Sequence, residues 1–256
     1  MQITVLKIGG NVINNPAALH EALDYFAGLV EPAVLVHGGG RKASQVLREM
    51  GREPVLVDGR RITDAATLEI VAMVYAGLLN KTVVAQLQAR GTNALGLSGA
   101  DANVVRADQR PVGEIDYGFA GDVRRVNGAA LAAFLQSGLR PVLCPITHDR
   151  KGQLLNTNAD TIANETATAL AGEGFAVSLR YCFELPGVLT DIDDHDSVIP
   201  ELRPASYADY RDRGVIAGGM IPKLDNAFAA VAAGVREVVI GDLRALRAGR
   251  GTRIVA

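Results

Sequence analysis

Residues 33–44 read AVLVHGGGRKAS: an apolar, strand-like run, then three glycines, then a polar segment that can start a helix. A glycine-rich turn between a buried strand and a helix N-terminus can bind phosphate, because backbone N–H groups and the positive end of the helix dipole face the ligand. The same turn fits the looser dinucleotide pattern G-x-G-x-x-G/A through Gly38, Gly40 and Ala43. Asp58 follows about 20 residues later, where a ribose-binding acid belongs. The turn alone leaves both interpretations open.

The composition is typical of a globular protein with a large core. The chain has 256 residues and a formal net charge of -2, with 48% hydrophobic and 21% charged residues. This length suits one large domain or two lobes. Basic residues are spread along the chain, Trp is absent, and no basic run is interleaved with aromatic residues. We therefore expect a small-molecule substrate and no nucleic-acid partner.

The sequence also predicts where the protein works. The first residues, MQITVLKIGG, read as a strand rather than as a signal peptide. The longest helical pattern, 65–88, is interrupted by three polar residues that argue against a membrane span, namely Glu69, Asn80 and Lys81. Cys144 and Cys182 lie in apolar strand-like runs, which favours buried thiols over a disulfide. We expect a cytoplasmic protein without a membrane partner.

Strand-like and helix-like segments alternate along most of the chain. The predicted strands are 3–8, 33–37, 54–58, 141–146, 175–183, 188–189, 237–240 and 252–255, and the predicted helices are 17–29, 65–88, 131–135, 161–171 and 220–233. This alternation predicts an α/β fold with a mostly parallel, doubly wound sheet. Short alternating pieces in 94–126 predict β-hairpins, which often form a lid or a pocket wall. A weak lobe boundary falls at Glu173-Gly174.

Two lysines lie beside glycine turns. Lys7 precedes the pair 9–10 by two residues, and Lys223 follows the pair 218–219 by four. Phosphoryl transfer depends on positioning, and on positive charge and N–H donors around the transferring oxygens. Taken singly, Lys7 fits a snorkelling strand-end residue equally well, and Lys223 fits a solvated helix residue. Beside the glycine turns, the phosphoryl-transfer interpretation is favoured, since hydride transfer has no evident need for Lys7 in a buried strand.

Two further segments carry polar groups that suit substrate binding. Residues 156–160, NTNAD, stand at a helix start, where Asn158 or Asp160 can cap the first turn. The groups not used in the cap leave a carboxylate that could orient both lysines and an amide that could hold a substrate carboxylate. The turn DGRRIT contains Arg60 and Arg61, one of which could bind a carboxylate in a bidentate manner.

Other chemistries lack their motifs. The sequence contains no G-x-x-x-x-G-K-[ST] and no G-x-S-x-G elbow. The acidic run 191–196, DIDDHD, departs from a calcium loop, because His195 and Asp196 stand where an Asp or Asn and a Gly belong. The four histidines show no metal-ligand spacing, so we predict no protein metal site. His37 ends a buried strand, where a structural role is favoured over a catalytic one.

The motifs together resemble the amino acid kinase family. The similarity runs along essentially the whole chain through KIGG, VLVHGGG, GRRIT, NTNAD, GGMIPK and GTRIVA, in that order. GRRIT and NTNAD are specific to the branch that phosphorylates N-acylglutamates. The resemblance implies an open three-layer αβα sandwich with a mostly parallel central sheet. It further implies a single domain with an acyl-amino-acid lobe at about 1–172 and a nucleotide lobe at about 173–256.

The resemblance also implies a reaction and a set of site residues. The reaction is ATP-dependent phosphorylation of the side-chain carboxylate of N-acetyl-L-glutamate, a step of arginine biosynthesis, with Mg²⁺ bound to ATP. Lys7 and Lys223 would stabilise the transferring phosphoryl group, and Asp160 would align them. The implied phosphate-binding residues are Gly9, Gly10 and Gly39. The implied substrate-binding residues are Gly39, Gly40, Arg61, Asn156 and Asn158.

Departures from the family pattern leave alternatives open. The segment RYCFELPGV replaces a form close to LTDVPGV, so the adenine and ribose contacts are not predicted. Arg41 and Lys42 follow the glycines, where an uncharged pair is usual. They could belong to the helix surface, or they could bind the extra carboxylate of N-succinyl-L-glutamate. The other class of function is an oxidoreductase using Gly38, Gly40 and Asp58. Relatives that form arginine-inhibited hexamers carry an additional N-terminal helix, whereas this sequence begins with its first strand. We therefore expect a homodimer.

Overall fold

The fold is an alternation of strands and helices, as expected, in a computed structural model that describes residues 1–57, 59–218 and 220–256. The strands are β1 (Gln2–Ile8), β2 (Ala33–His37), β3 (Leu56–Val57), β4 (Arg60–Arg61), β5 (Ala94–Leu97), β6 (Val105–Gln109), β7 (Ala120–Val126), β8 (Arg140–Leu143), β9 (Ile146–His148), β10 (Leu154–Thr157), β11 (Ala176–Cys182), β12 (Glu201–Leu202), β13 (Glu237–Gly241) and β14 (Thr252–Ile254). The helices are α1 (Gly10–Asn14), α2 (Pro16–Ala27), α3 (Gly40–Glu49), α4 (Ala65–Gln88), α5 (Gly128–Gln136), α6 (Ala159–Gly172), α7 (Pro204–Asp212), α8 (Met220–Ala232) and α9 (Leu243–Arg247).

The main sheet is centred on β1. Within the described ranges it has eight strands in the order β12-β14-β13-β11-β1-β2-β8-β5, and all neighbours are parallel except β13 and β14. The chain passes from β1 to β2 on one side and later returns to β11 on the other. Ligands of open α/β sheets bind at such a switch point, beyond the carboxyl ends of the strands. The glycine turns after β1 and β2 lie at this edge.

Helices cover both faces of the sheet, and the alternation of β1 decides which side chain faces which layer. Ile3 and Val5 belong to a core with residues of α5, α6 and α8, whereas Leu6 and Ile8 belong to a core with α2 and the end of α4. Successive side chains of a strand point to opposite faces. Lys7 therefore shares the face of Ile3 and Val5, towards α6.

Helix α4 has a π-helical middle, Met73–Leu79. Such segments are frequent at functional sites. By length and composition α4 could cross a membrane, with a mean hydropathy of 1.5 in its most apolar window. Its polar residues bind within the fold: the side chain of Asn80 donates to the carbonyl of Val142 at 2.9 Å, and Lys81 donates to the carbonyl of Gly96 at 3.1 Å.

The predicted fold class is confirmed, and several predicted elements need correction. Residues 94–97 form an edge strand of the main sheet, paired with β8, instead of a hairpin. The hairpin material is β6 and β7, which with β9 and β10 forms a small closed barrel. Residues 188–189 make only an isolated bridge, at Leu189. The sequence analysis did not predict α1, α7, α9, β4, β10 or β12. Asp58 and Gly219 lie outside the described residues.

Candidate active site

Two glycine turns touch each other at the carboxyl ends of β1 and β2. The N–H of Gly38 donates to the carbonyl of Ile8 at 3.0 Å, and a Cβ on Gly38 would lie 3.5 Å from the amide nitrogen of Gly10. Gly10 and Gly40 are the first residues of α1 and α3, so their N–H groups have no acceptor within the helix. The turns therefore present backbone donors to the space beyond the sheet.

Gly39 is required by close packing. A Cβ at this position would lie 2.5 Å from Cδ1 of Leu79 and 3.0 Å from Cδ1 of Tyr75, both in the π-helical part of α4. Atoms at such distances overlap, so a side chain at position 39 would require Leu79 and Tyr75 to shift. The π-helical segment thus sets the position of the turn.

Lys7 forms an ion pair with Asp160, the second residue of α6. Lys7 Nζ lies 2.6 Å from Asp160 Oδ1, and both side chains are largely shielded from solvent. The Tyr181 hydroxyl donates to the backbone carbonyl of Asp160 at 3.3 Å. Burial raises the pKa of Tyr181, so its phenol stays protonated as a donor. The predicted neighbourhood of Lys7 and Asp160 is thus present.

Lys223 reaches the same place from α8. Its Nζ lies 4.2 Å from the centre of the Phe183 ring, within the range of a cation–π interaction. Burial lowers the pKa of Lys223, and the like charge of Lys7 acts in the same direction. Asp160 and Glu184 oppose this shift by stabilising the ammonium. Lys7, Asp160 and Lys223 line one cavity of about 430 Å³.

A smaller neighbouring cavity of about 190 Å³ is lined by two charged residues, the exposed Arg60 and the buried Arg61. Arg61 is 7% exposed, and its Nη2 donates to the carbonyl of Gly40 at 2.9 Å and to Ser44 Oγ at 2.8 Å. Within the described residues, Nε and Nη1 are buried without a hydrogen-bond partner. A buried guanidinium with two free N–H positions is suited to a carboxylate, which accepts two parallel hydrogen bonds.

The other predicted substrate-binding residues line the same cavity. Gly39, Gly40, Asn156 and Asn158 all contribute to its wall. The Asn156 amide donates to Thr63 Oγ1 at 3.0 Å. Asn158 is the cap of α6, since its Oδ1 accepts from the N–H groups of residues 160 and 161 at 2.7 and 3.2 Å. The capping role considered for Asn158 is present, and its amide nitrogen is not used in the cap.

A third cavity, of about 750 Å³, joins the glycine turns to the lysines. Lys7, Gly9, Gly10 and Lys223 line it together with Arg41. Lys42, in contrast, lines none of the three cavities; it is half-buried, and its ammonium donates to Gln45 Oε1 at 3.1 Å. Of the pair Arg41-Lys42, only Arg41 therefore reaches this cavity.

Some contributing residues were missed or placed elsewhere by sequence reasoning. The sequence analysis did not single out Tyr75, which lines the Arg61 cavity. Phe183 carried no motif, and only its departure from the family pattern marked it. His37 is fully buried, and burial lowers its pKa to about 4. Its Nδ1 donates to the carbonyl of Gly38 at 2.7 Å, in keeping with the structural role.

The buried thiols behave as predicted. Cys144 and Cys182 are free and buried, and burial raises the pKa of Cys144 to about 12 and that of Cys182 to about 11. Neither thiol is therefore activated as a nucleophile. Among the described residues, no group of three or more His, Cys, Asp or Glu side chains is placed to hold a metal ion.

Two lysine ammonium groups beside two sets of backbone donors, next to a cavity that holds a buried guanidinium, are the arrangement that phosphoryl transfer on an open α/β sheet requires. The chain belongs to the amino acid kinase family, whose model matches residues 2–242.

Two named proteins and one solved structure show what this chain is similar to within the family. The acetylglutamate kinase of Bacteroides thetaiotaomicron is 54% identical over 253 residues, covering 99% of this chain and 98% of that protein. The acetylglutamate kinase of Parabacteroides distasonis is 51% identical, covering 99% of each. The crystal structure of smu.665 from Streptococcus mutans UA159 superposes with a TM-score of 0.79 at 29% identity, covering 99% of this chain and 98% of that one. These relatives do not favour the oxidoreductase alternative.

Proposed function

We propose that the protein transfers the γ-phosphoryl group of ATP to the side-chain carboxylate of N-acetyl-L-glutamate, giving N-acetyl-L-glutamyl 5-phosphate and ADP. The observation that carries the proposal is the cluster of Lys7, Asp160 and Lys223 beside the cavity of Arg61. The relatives named acetylglutamate kinase support the same substrate. The reaction would serve arginine biosynthesis in the cytoplasm.

Arg61 would bind the α-carboxylate of the acyl amino acid. Its free Nε and Nη1 supply a pair of donors. The amide nitrogens of Asn156 and Asn158 would complete this end of the cavity, and Gly39 and Gly40 would donate backbone N–H groups. The substrate's side-chain carboxylate would then extend towards Lys7 and Lys223.

The chemical step needs charge stabilisation rather than proton removal. The γ-carboxylate of the substrate has an ordinary pKa of about 4.3 and is ionised at neutral pH. One of its oxygens attacks the γ-phosphorus, and the bond to the β–γ bridging oxygen breaks with its electron pair leaving on ADP. No proton moves, so no general base is required.

The cations act on the transferring group. Lys7 and Lys223 would neutralise the equatorial and bridging oxygens as charge develops, and the shielding of Lys7 from water strengthens its effect. Gly9, Gly10 and Gly39 would add backbone donors. Asp160 does not react: it fixes the Lys7 ammonium and attracts that of Lys223. Asp160 is therefore an orienting residue.

ATP would enter through the larger cavities. We assign the nucleotide to a C-terminal lobe of about 173–256 and the acyl amino acid to an N-terminal lobe of about 1–172. The described residues offer no built metal cage, and few protein ligands are expected for Mg²⁺ that is held by phosphate oxygens. Such a Mg²⁺ would neutralise phosphate charge.

We also propose a homodimer through α4 and β5. Met73 and Leu78 of α4 are at least half exposed, and β5 is the edge strand of the main sheet in the described part of the chain. An exposed apolar helix beside an open strand edge suits pairing with a second copy. Light scattering of the purified protein tests this: a dimer that Met73→Glu converts to a monomer is expected, and a monomeric wild type contradicts it.

A coupled assay of ADP release tests the function. We expect turnover with N-acetyl-L-glutamate, weaker turnover with N-succinyl-L-glutamate and none with unacylated glutamate. Lys7→Met and Lys223→Met should each lower kcat by about 10²-fold or more, because each removes a charge that acts in the transition state. Lys42→Met is the matched control, since Lys42 lines none of the three cavities and binds Gln45 instead. Near-normal kcat in both cavity variants contradicts the mechanism, and tight saturable NADH binding would favour the oxidoreductase.

A further inference from the structure

A small cavity away from the proposed active site is lined by side chains rich in hydrogen-bond donors, three arginines and two asparagines. It measures about 90 Å³, and its wall is formed by Asn103, Arg106, Arg125, Asn127 and Arg150. None of these residues lines the active-site cavities. Since liquid water occupies about 30 Å³ per molecule, the space holds about three waters or one small polyatomic ion.

Two of the arginines are forced together by the strand pairing. Arg106 of β6 and Arg125 of β7 are directly opposite in an antiparallel ladder, and the register shifts immediately after Arg106. Like charges in direct cross-strand pairs destabilise a sheet. Arg106 Nε is buried without a hydrogen-bond partner among the described residues. An anion between the strands would accept a hydrogen bond from Arg106 Nε and would reduce the repulsion between Arg106 and Arg125.

No carboxylate of the described residues supplies it. The three arginines take part in none of the ion pairs found there. The nearby acids are used elsewhere: Asp108 pairs with Arg124 at 2.8 Å, and Asp149 accepts from the N–H groups of residues 151 and 153 at 2.6 and 3.1 Å.

The side-chain oxygens of both asparagines already accept hydrogen bonds from other groups. Asn127 Oδ1 accepts from the N–H of Ala130 as the cap of α5. Asn103 Oδ1 accepts from His148 Nε2 at 2.9 Å, while His148 Nδ1 accepts the backbone N–H of Arg150. These bonds leave the two amide nitrogens, with two N–H donors each, beside the three guanidinium groups.

From this donor set we propose that the cavity is a binding site for a phosphate group, as inorganic phosphate or as the phosphate of a small phosphomonoester. A tetrahedral dianion presents enough oxygens to accept from three guanidinium groups and two amides, and its charge relieves the repulsion between Arg106 and Arg125. A nucleotide base does not fit in the volume.

Calorimetric titration with inorganic phosphate tests the proposal, in low-salt chloride buffer and in a Lys7→Met/Lys223→Met background that removes phosphate binding at the proposed active site. We expect saturable binding that Arg125→Gln and Arg150→Gln each weaken by about tenfold or more. Both side chains are exposed, so the variants should fold. Arg124→Gln, on the same strand and paired with Asp108, is the control and should change Kd by less than about twofold.

Further arms separate the sources of the phosphate group and the shape of the ion. Glycerol 3-phosphate binding tighter than inorganic phosphate would assign the site to a phosphomonoester, and the reverse order to the free ion. Acetate, which is planar, should bind much more weakly than either. In phosphate-free buffer Arg125→Gln should raise the unfolding temperature by removing the repulsion. The proposal is overturned if no saturable binding is found, or if the Arg125 and Arg150 variants bind phosphate as tightly as the Lys7→Met/Lys223→Met background. Acetate binding as tight as that of phosphate also overturns it.

Discussion

Replacing Arg61 by lysine separates substrate binding from catalysis. Arg61 is 7% exposed, and its Nη2 binds Gly40 and Ser44 while Nε and Nη1 have no partner among the described residues. A hydrogen bond to a charged group contributes about 1.5–3 kcal/mol. Arg61→Lys keeps the charge but loses the planar pair of donors. A net loss of about 3 kcal/mol corresponds to a decrease of about 100-fold in kcat/KM for N-acetyl-L-glutamate.

The decrease should lie mainly in KM, because the α-carboxylate is bound alike in the ground state and the transition state. The assay is ADP release with either substrate varied. KM for ATP should change by less than about twofold, since Arg61 lines the amino-acid cavity and not the larger ones. The control is Arg52→Lys, an exposed arginine paired with Asp64. A wild-type KM for the amino acid, or an equal rise of both KM values, refutes the assignment; thermal unfolding of the variant checks the fold.

Three other predictions follow from the geometry. Gly39→Ala should lower the free energy of unfolding by about 1–3 kcal/mol, because its Cβ would overlap Leu79, as chemical denaturation will measure. The buried, neutral His37 has a pKa of about 4 against an ordinary 6.5, so only the unfolded chain takes up a proton as pH falls from 6.5. The wild type should therefore lose about 2 kcal/mol between pH 7.5 and pH 5 that His37→Gln does not lose. Phe183→Leu should lower kcat about three- to tenfold and shift the alkaline limb of the pH profile downwards, because the aromatic face stabilises the Lys223 ammonium.

Each of these has a matched comparison. Gly77→Ala, at a helix position with open space around its Cβ, should not destabilise; equal destabilisation of both glycine variants would contradict the packing argument. If the free energy of unfolding fell equally with pH in the wild type and in His37→Gln, the protonation of His37 on unfolding would not explain the pH dependence. Phe183→Tyr keeps the aromatic face and should restore kcat. A loss confined to KM for ATP would mean that Phe183 contacts the nucleotide instead of holding Lys223.

Local sequence patterns predicted the parts of the fold that depend on near neighbours. The apolar run of β2 was bounded correctly, since burial on both faces gives a continuous hydrophobic strand. The two glycine turns were found because a strand that ends in glycines leaves a recognisable signature. Residues 94–97, in contrast, were assigned to hairpins. They are only four residues long, and their place beside β8 depends on a long-range pairing that no local pattern records.

The site shows the same division between local and long-range information. The alternation of β1 places Lys7 on the side of α6, so its meeting with Asp160 is decided by strand periodicity and by one helix start. Lys223 joins them from a helix more than two hundred residues further along the chain, and only motif resemblance, not periodicity, linked it to Lys7. Phe183 had neither signal. Strand β11 ends next to β1, and Phe183 follows it, so the ring lies 4.2 Å from the Lys223 ammonium. In the sequence Phe183 appears only as a departure from the family pattern, whereas in the fold its aromatic face binds a cation.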